Sequence, residues 1–194
     1  MDAMDSDVDQ RGLLTTIGYG DRPWSDFLSR LKGHRIQYLI DVRSQPRSRL
    51  PEFNGDALKV LLGQAGIKYL FMGDSLGGKP DDPSCYVDGK VDYSRCEARP
   101  VFSAGLERLT AALKGGHRVA LMCSELDPER CHRSKLIGEA LQRRNVPLLH
   151  IDRDGAEITQ QAVIGRLTGG QSALFGESFT SRGRYAPPPI EEEN

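Results

Sequence analysis

The sequence lacks several features that would assign a class of protein at once. Its 194 residues include 26 basic and 27 acidic side chains, and the net charge of −1 provides no overall field to attract nucleic acid or a membrane. A membrane-spanning helix needs about 20 consecutive apolar residues, and no apolar run in the sequence is nearly that long. The first ten residues, MDAMDSDVDQ, are acidic and contain no apolar signal segment. We therefore expect a cytoplasmic protein without membrane contact, in which any anion site is local.

The four cysteines, Cys85, Cys96, Cys123 and Cys131, form no Cys-x-x-Cys pair. This absence removes the strongest sequence signatures of zinc and thioredoxin-like sites. In a reducing compartment free thiols are expected rather than disulfides. A metal or redox role stays open, no metal ligand is assigned from the sequence, and the cofactor is unknown at this point.

Strand-like and helix-like segments alternate along the chain. Apolar runs predict strands over residues 13–18, 38–42, 67–72, 118–123 and 146–151, and helical spacing predicts helices over 24–31, 57–62, 101–114 and 134–144. The alternation predicts an α/β fold, a single three-layer αβα sandwich around a mostly parallel, Rossmann-like sheet. Asn54 is expected to cap the second helix, and residues 73–96 are expected to form a long functional loop.

The ends of the chain differ in composition from its centre. The composition predicts a disordered leader over residues 1–11 and a folded domain over residues 12–167. It predicts a flexible tail over residues 168–194, which are rich in glycine, serine and charge. Three aromatic residues in that tail, Phe175, Phe179 and Tyr185, are candidates for docking on a protein partner.

The run from Cys123 to Arg133 is the most informative part of the sequence. Two thiols, several carboxylates, an imidazole and two guanidinium groups follow a predicted strand and open a helix, whose N-terminus favours an anion. Cys123 and Cys131 are either a nucleophile and its partner or small buried side chains. They are also candidates to share a metal with His132, although neighbours on a helix project in different directions, which makes joint ligation by Cys131 and His132 awkward.

Polar residues follow three of the predicted strands, and ligands of parallel sheets bind at the carboxyl ends of the strands. We therefore expect one site at that edge. The predicted catalytic residues are Asp41, Glu125, Cys131 and His132; the predicted substrate-binding residues are Thr16, Gly18, Tyr19, Arg43, Arg47, Gly77, Gly78, Cys123 and Arg133. The glycine pair is expected to permit backbone conformations that other residues resist. The alternative for Arg43 is a pair with Asp41 or Glu125 that only braces the loop.

Several of these segments together resemble the DUF488 family. The resemblance covers about residues 14–151 and rests on Thr16-Ile-Gly-Tyr-Gly20, Ile40-Asp-Val-Arg-Ser-Gln-Pro46, Leu76-Gly-Gly78, Leu121-Met-Cys-Ser-Glu125 and Cys131-His-Arg133. It implies a compact α/β domain with a shared pocket and supplies no activity. Residues 39–43 are also similar to the strand that opens rhodanese domains, but the short Cys-to-Arg loop of those domains is absent.

The leading hypothesis is an enzyme that acts on an anionic, phosphate-containing substrate, either nucleotide-like or derived from nucleic acid. Arginines would hold the phosphate while carboxylates and His132 move protons. The alternatives are cysteine-based sulfur transfer or redox sensing, and a non-catalytic ligand-binding or regulatory module. Direct binding to nucleic acid has weak support because the chain is nearly neutral.

Overall fold

The computed structural model describes residues 12–170 and 179–189. The strands are β1 (Leu13–Gly18), β2 (Tyr38–Asp41), β3 (Lys68–Phe71), β4 (Tyr86–Val87), β5 (Lys90–Val91), β6 (Arg118–Cys123), β7 (Leu149–Ile151) and β8 (Glu157–Thr159). Six of them form one sheet in the order β3-β2-β6-β1-β7-β8, and β4 pairs with β5 in a separate hairpin. The pairs of the large sheet are parallel up to β7, and β8 is antiparallel to β7.

The helices are α1 (Trp24–Gly33), α2 (Gly55–Gln64), α3 (Gly73–Leu76), α4 (Tyr93–Glu97), α5 (Pro100–Lys114), α6 (Glu139–Arg143) and α7 (Gln160–Thr168). A π-helical segment, Arg133–Gly138, leads directly into α6. Such wide turns inside helices are frequent at functional sites.

The central strand β6 shows why the fold has three layers. Val119, Leu121 and Cys123 face one hydrophobic core with residues of α4, α5 and α6, while Ala120 and Met122 face a second core with residues of α1 and α2. A strand buried on both faces is nearly continuously apolar, as this one is. The predicted three-layer α/β sandwich with a mostly parallel sheet is confirmed.

The segment 73–96 is not the long loop that we expected. It contains α3, a 3-10 turn, the β4–β5 hairpin and α4. Two local signals explain this structure: Asp88 and Gly89 adopt the positive φ angles of a tight turn, and the Asp92 side chain accepts hydrogen bonds from backbone N–H groups at the start of α4.

Two other expectations about local structure need correction. Asn54 precedes α2, but its side chain makes no cap hydrogen bond and instead accepts one from Ser48 N at 2.9 Å. After the last predicted strand the chain adds β8 and α7, and Thr159 caps α7 by accepting a hydrogen bond from Ala162 N. At both positions a polar side chain accepts a hydrogen bond from a backbone N–H that is near in sequence.

Part of the predicted tail packs on the domain. Tyr93 N donates to Phe179 O at 3.0 Å, Ser181 N to Val91 O at 2.9 Å and Tyr185 N to Gly89 O at 2.6 Å. The predicted leader at 1–11 and Phe175 lie outside the described residues. Within residues 12–170 and 179–189, no helix has the length and apolar character to cross a membrane.

Candidate active site

The carboxyl ends of three neighbouring strands meet at one edge of the sheet. Gly18 at the end of β1 lies in register with Cys123 at the end of β6, and Asp41 at the end of β2 lies beside Met122. A cavity of about 840 Å³ opens above the ends of β2 and β6. The predicted site edge therefore coincides with a cavity lined by described residues.

The loop after β6 brings two adjacent side chains together at the floor of this cavity. Cys131 has an extended backbone (φ −112°, ψ 151°), whereas His132 already has helical angles (φ −63°, ψ −18°). The Cys131 Sγ and His132 Nδ1 atoms are 3.7 Å apart. The expected divergence of these side chains was wrong, because Cys131 precedes the helix and the helical rotation between neighbours does not apply to the pair.

The ring orientation of His132 is determined by its second nitrogen. Nε2 lies 2.9 Å from the backbone carbonyl of Val42, which can only accept, so Nε2 carries the hydrogen and donates it. In the neutral ring Nδ1 then presents its lone pair to the sulfurs of Cys131 and Cys123, the latter at 3.9 Å. A basic nitrogen and two thiols thus face one point.

Gly78 explains how the imidazole fits. A Cβ atom on Gly78 would lie 2.7 Å from His132 Cγ, closer than non-bonded carbons approach, and at Gly77 a Cβ would collide with the Gly73 carbonyl. Gly77 has an ordinary φ of −66°, and the residues with positive φ include neither glycine of this pair. The expected reason for the glycine pair was therefore wrong: these positions need space for their neighbours rather than unusual backbone angles.

The two cysteines at the floor differ in acidity. Burial opposes ionisation of Cys131, but the Cys123 thiol, the Arg133 guanidinium and His132 outweigh it and hold the pKa of Cys131 well below its ordinary value. The hydrogen bond with Cys131, followed by burial, raises the pKa of Cys123 well above its ordinary value. Of the two, Cys131 is therefore the better thiolate.

Arg133 contacts Cys131 from inside the protein and is not one of the residues that line the cavity. Its side chain is fully buried, and its Nε donates to Cys131 Sγ at 3.2 Å. Its two terminal nitrogens donate to Thr16 Oγ1 at 3.1 Å and to the Glu125 carbonyl at 2.6 Å. The geometry favours a positioning role for Arg133 and Thr16 rather than contact with a substrate.

Asp41 and Arg43 form a buried pair beside the floor. Arg43 donates from Nε to Asp41 Oδ1 at 2.8 Å and from Nη2 to Oδ2 at 2.6 Å, and Tyr69 donates to Oδ2 at 2.9 Å. Burial opposes the charge on Arg43, yet Asp41 outweighs it and raises the pKa of Arg43; burial and Asp41 raise the pKa of Tyr69. Saturated in this way, Asp41 is better placed to hold Arg43 than to exchange protons with a substrate.

Tyr19 is the third partner of this guanidinium. Its hydroxyl accepts a hydrogen bond from Arg43 Nη1 at 3.2 Å, and its ring stacks on Phe53 with centroids 4.2 Å apart. Together with the contacts to Asp41 and the Arg47 carbonyl, four of the five N–H groups of Arg43 are occupied. The bracing alternative for Arg43 is thus present in the structure, and Arg43 also lines the cavity.

The wall of the cavity carries more basic than acidic side chains. Of the described residues, six basic and two acidic ones line it: Arg43, Arg47, Lys79, Arg130, Arg182 and Arg184 against Asp81 and Glu125. Three of these cations have carboxylate partners: Arg182 pairs with Glu125 at 3.4 Å, Arg43 with the buried Asp41 and Arg130 with Asp127 at 3.7 Å. The excess positive charge therefore lies mainly on Arg47, Lys79 and Arg184. A cavity with an excess of cations over a low-dielectric floor attracts anions.

The segment 179–189 supplies a large part of this wall. Arg182, Arg184 and Tyr185 line the cavity, and Lys79 Nζ lies 3.8 Å from the centroid of the Tyr185 ring. Tyr93 also lines the cavity, and burial, followed by Cys131 and Cys96, raises its pKa. Sequence reasoning did not assign Lys79, Tyr93, Arg182 or Arg184 to the site and proposed Tyr185 only for docking on a partner. No local pattern indicates where the segment 179–189 packs.

The predicted site residues thus fall into two groups. Seven line the cavity: Arg43, Arg47, Gly78, Cys123, Glu125, Cys131 and His132. Six lie behind or beside it: Thr16, Gly18, Tyr19, Asp41, Gly77 and Arg133. Their individual roles stay predictions.

The comparisons with known proteins give a family and no activity. No curated protein and no solved structure matches the chain. The family model described as "Domain of unknown function DUF488" matches residues 23–140, which is more than half of the chain and includes α1, β2, β6 and the Cys131-His132-Arg133 run. The chain belongs to the DUF488 family.

Proposed function

We propose that the protein is an enzyme that acts on an anionic, phosphate-containing substrate in the basic cavity. The observation that carries this proposal is the combination of a cationic wall with a floor of Cys123, Cys131 and His132. A volume of about 840 Å³ suits a ligand of nucleotide size. Tyr86 and Tyr185 supply flat apolar surface beside the cations, as a nucleotide-like ligand requires.

The exposure of each side chain separates residues that can contact a substrate from residues that hold the site in place. The exposed side chains of Arg47 and Arg184 can reach phosphate oxygens, and Lys79 can do so by leaving the Tyr185 ring, whereas buried Arg133 and Asp41 hold the floor in place. His132 Nδ1 is the basic group closest to the floor sulfurs and is the candidate proton acceptor.

The binding part of the proposal is tested by calorimetric titration of the purified protein with inorganic pyrophosphate and with nucleoside mono- and diphosphates. Arg47→Gln and Arg184→Gln are each expected to weaken binding about fivefold, which corresponds to about 1 kcal/mol for an exposed charge. The matched control is Lys114→Gln, an exposed cation at the end of α5. Equal affinities for all three variants, or no binding of any phosphate ligand, would refute the proposal.

The catalytic part needs a separate measurement. Release of inorganic phosphate from the same ligands is expected in the wild type and is expected to fall at least tenfold in Cys131→Ser, with binding retained. If the wild type binds these ligands without releasing phosphate, the result would instead support the alternative of a non-catalytic ligand-binding or regulatory module.

Sulfur transfer is a second candidate, favoured by the hydrogen bond of Arg133 Nε to Cys131 Sγ. The Cys131 thiolate would attack the outer sulfur of thiosulfate, a dianion suited to the basic cavity; a Cys131 persulfide forms and sulfite leaves. Intact-mass spectrometry would show one added sulfur that reductant removes and that Cys131→Ser lacks. An unchanged mass after thiosulfate treatment would rule this candidate out.

A further inference from the structure

The three side chains at the cavity floor also have the arrangement of a metal site. Cys123 Sγ, Cys131 Sγ and His132 Nδ1 all lie within 4.8 Å of one another. The two sulfur-to-nitrogen distances are 3.9 Å and 3.7 Å. Bonds of about 2.3 Å to sulfur and about 2.0 Å to nitrogen put tetrahedral zinc ligands about 3.5–3.8 Å apart. The two sulfur-to-nitrogen distances therefore exceed those of a zinc site by only a few tenths of an ångström.

The surroundings of these three side chains also favour the binding of a metal ion. His132 donates its Nε2 hydrogen to the Val42 carbonyl, which leaves Nδ1 as the ligand atom and fixes the direction of the ring. Ligating histidines in metalloproteins are held by such a second hydrogen bond to a carbonyl or carboxylate. Arg133 Nε donates to Cys131 Sγ at 3.2 Å, a contact that a metal-bound thiolate retains.

We propose that Cys123, Cys131 and His132 bind one zinc ion whose fourth coordination position faces the basic cavity. Two thiolates and one neutral imidazole are the donors that zinc takes in three-ligand sites. All three residues line the cavity, so the fourth position is open to water or to an anion. Binding converts any protonated cysteine to a thiolate and releases that proton to solvent.

Charge at the site favours an anionic fourth ligand. A zinc ion and two thiolates sum to zero, and the buried Arg133 adds one positive charge beside them. This refinement rests on the proposed function, in which the cavity holds a phosphate-containing substrate, and a phosphate oxygen or water would take the fourth position. With zinc bound, His132 Nδ1 is a ligand and no longer the proton acceptor of the metal-free site. Zinc binding itself does not depend on that function.

The site is tested on the full chain, purified in the presence of reductant and zinc and then exchanged into metal-free buffer. Elemental analysis is expected to give one zinc per chain. Replacement by Co²⁺ is expected to produce sulfur-to-cobalt charge-transfer bands and the strong visible bands of a tetrahedral site. Cys123→Ser and His132→Gln are expected to lose the bound zinc and to weaken these bands.

The matched control is Cys85→Ala, because Cys85 and Cys96 form a second buried thiol pair away from the cavity. This variant is expected to keep both the zinc and the cobalt spectrum. Added zinc should raise the Tm of the wild type and leave that of Cys123→Ser unchanged, which separates lost binding from lost folding. Well under one zinc per chain, or an identical cobalt spectrum in Cys123→Ser, would identify an adventitious ion only and overturn the proposal.

The two proposals fail in different ways. Pyrophosphate binding that depends on Arg184 but persists after zinc removal would leave the function intact and reject the refinement about the fourth ligand. One tightly bound zinc in a protein that binds no phosphate ligand would keep the metal site and reject the function.

Discussion

Acid is expected to destabilise the fold through His150, whose ring is fully buried behind the site. Nδ1 lies 2.8 Å from Thr16 Oγ1, and Nε2 lies 2.7 Å from Gln160 Oε1. Thr16 in turn accepts a hydrogen bond from Arg133, so the ring connects the support of Cys131 to α7. In the neutral ring Nε2 donates its hydrogen to Gln160 Oε1, and Nδ1 accepts the hydrogen of the Thr16 hydroxyl. A proton on Nδ1 would remove the lone pair that accepts this hydrogen.

The size of the effect follows from the pKa of His150. Burial, reinforced by the charge of Arg133 and opposed by Gln160, lowers this pKa from 6.5 to about 4. In the unfolded chain the ring gains its proton as the pH falls through 6.5, whereas the folded protein gains it only near 4. Stability is therefore complete above pH 6.5 and falls between pH 6.5 and 4. The total loss is about 3 kcal/mol, of which about 2 kcal/mol has occurred at about pH 5.

The assay compares the free energy of unfolding from urea titrations at neutral pH and at about pH 5. His150→Gln carries no ionisable ring and is expected to lose about 2 kcal/mol less than the wild type on acidification. His117→Gln, at a partly exposed ring next to Tyr38, is the control and should lose as much as the wild type. If the wild type and His150→Gln lose equal stability, the buried neutral ring is not the cause and the reasoning fails.

Two further substitutions test the supports of the site. Arg43→Met leaves the Asp41 carboxylate buried without its cation and is expected to cost about 3–5 kcal/mol in urea unfolding; a loss below about 1 kcal/mol would show that Asp41 is not held as the structure indicates. Gly78→Ala places a methyl group against the His132 ring and is expected to cost about 1–3 kcal/mol. Gly63→Ala, whose Cβ meets nothing within 4 Å, is its control and should not destabilise the protein; equal stability of the two alanine variants would refute the steric argument.

The location of the site follows from features that act over a few residues. The apolar run 118–123, followed by Cys123 to Arg133, predicts a strand that ends in a polar loop and a helix, and the structure contains these elements. Parallel pairing then brings Gly18, Asp41 and Cys123 to neighbouring positions, since strands joined through crossovers point the same way. The alternation of β6 side chains between the two hydrophobic cores likewise follows from the two-residue repeat of a strand.

What each side chain does at the site depends on contacts between residues far apart in sequence. Asp41 and Arg133 look like catalytic and substrate-binding groups in the sequence, yet their partners Tyr69 and Thr16 saturate them inside the protein. Burial penalises an unpaired charge. The nearby Asp41–Arg43 pair was one of the alternatives drawn from the sequence, whereas the contacts with Tyr69 and Thr16 come from distant parts of the chain.

The tertiary structure alone also decided the wall and the floor of the cavity. Arg182 and Arg184 reach the cavity because Ser181 and Tyr185 pair with the β5 region, nearly a hundred residues earlier in the chain. Cys131 and His132 converge because the backbone changes from extended to helical between them, a change of a few dihedral angles that composition does not encode. Local periodicity determines which elements form and where their polar ends lie, whereas the packing of those elements determines which charges are neutralised and which face the cavity.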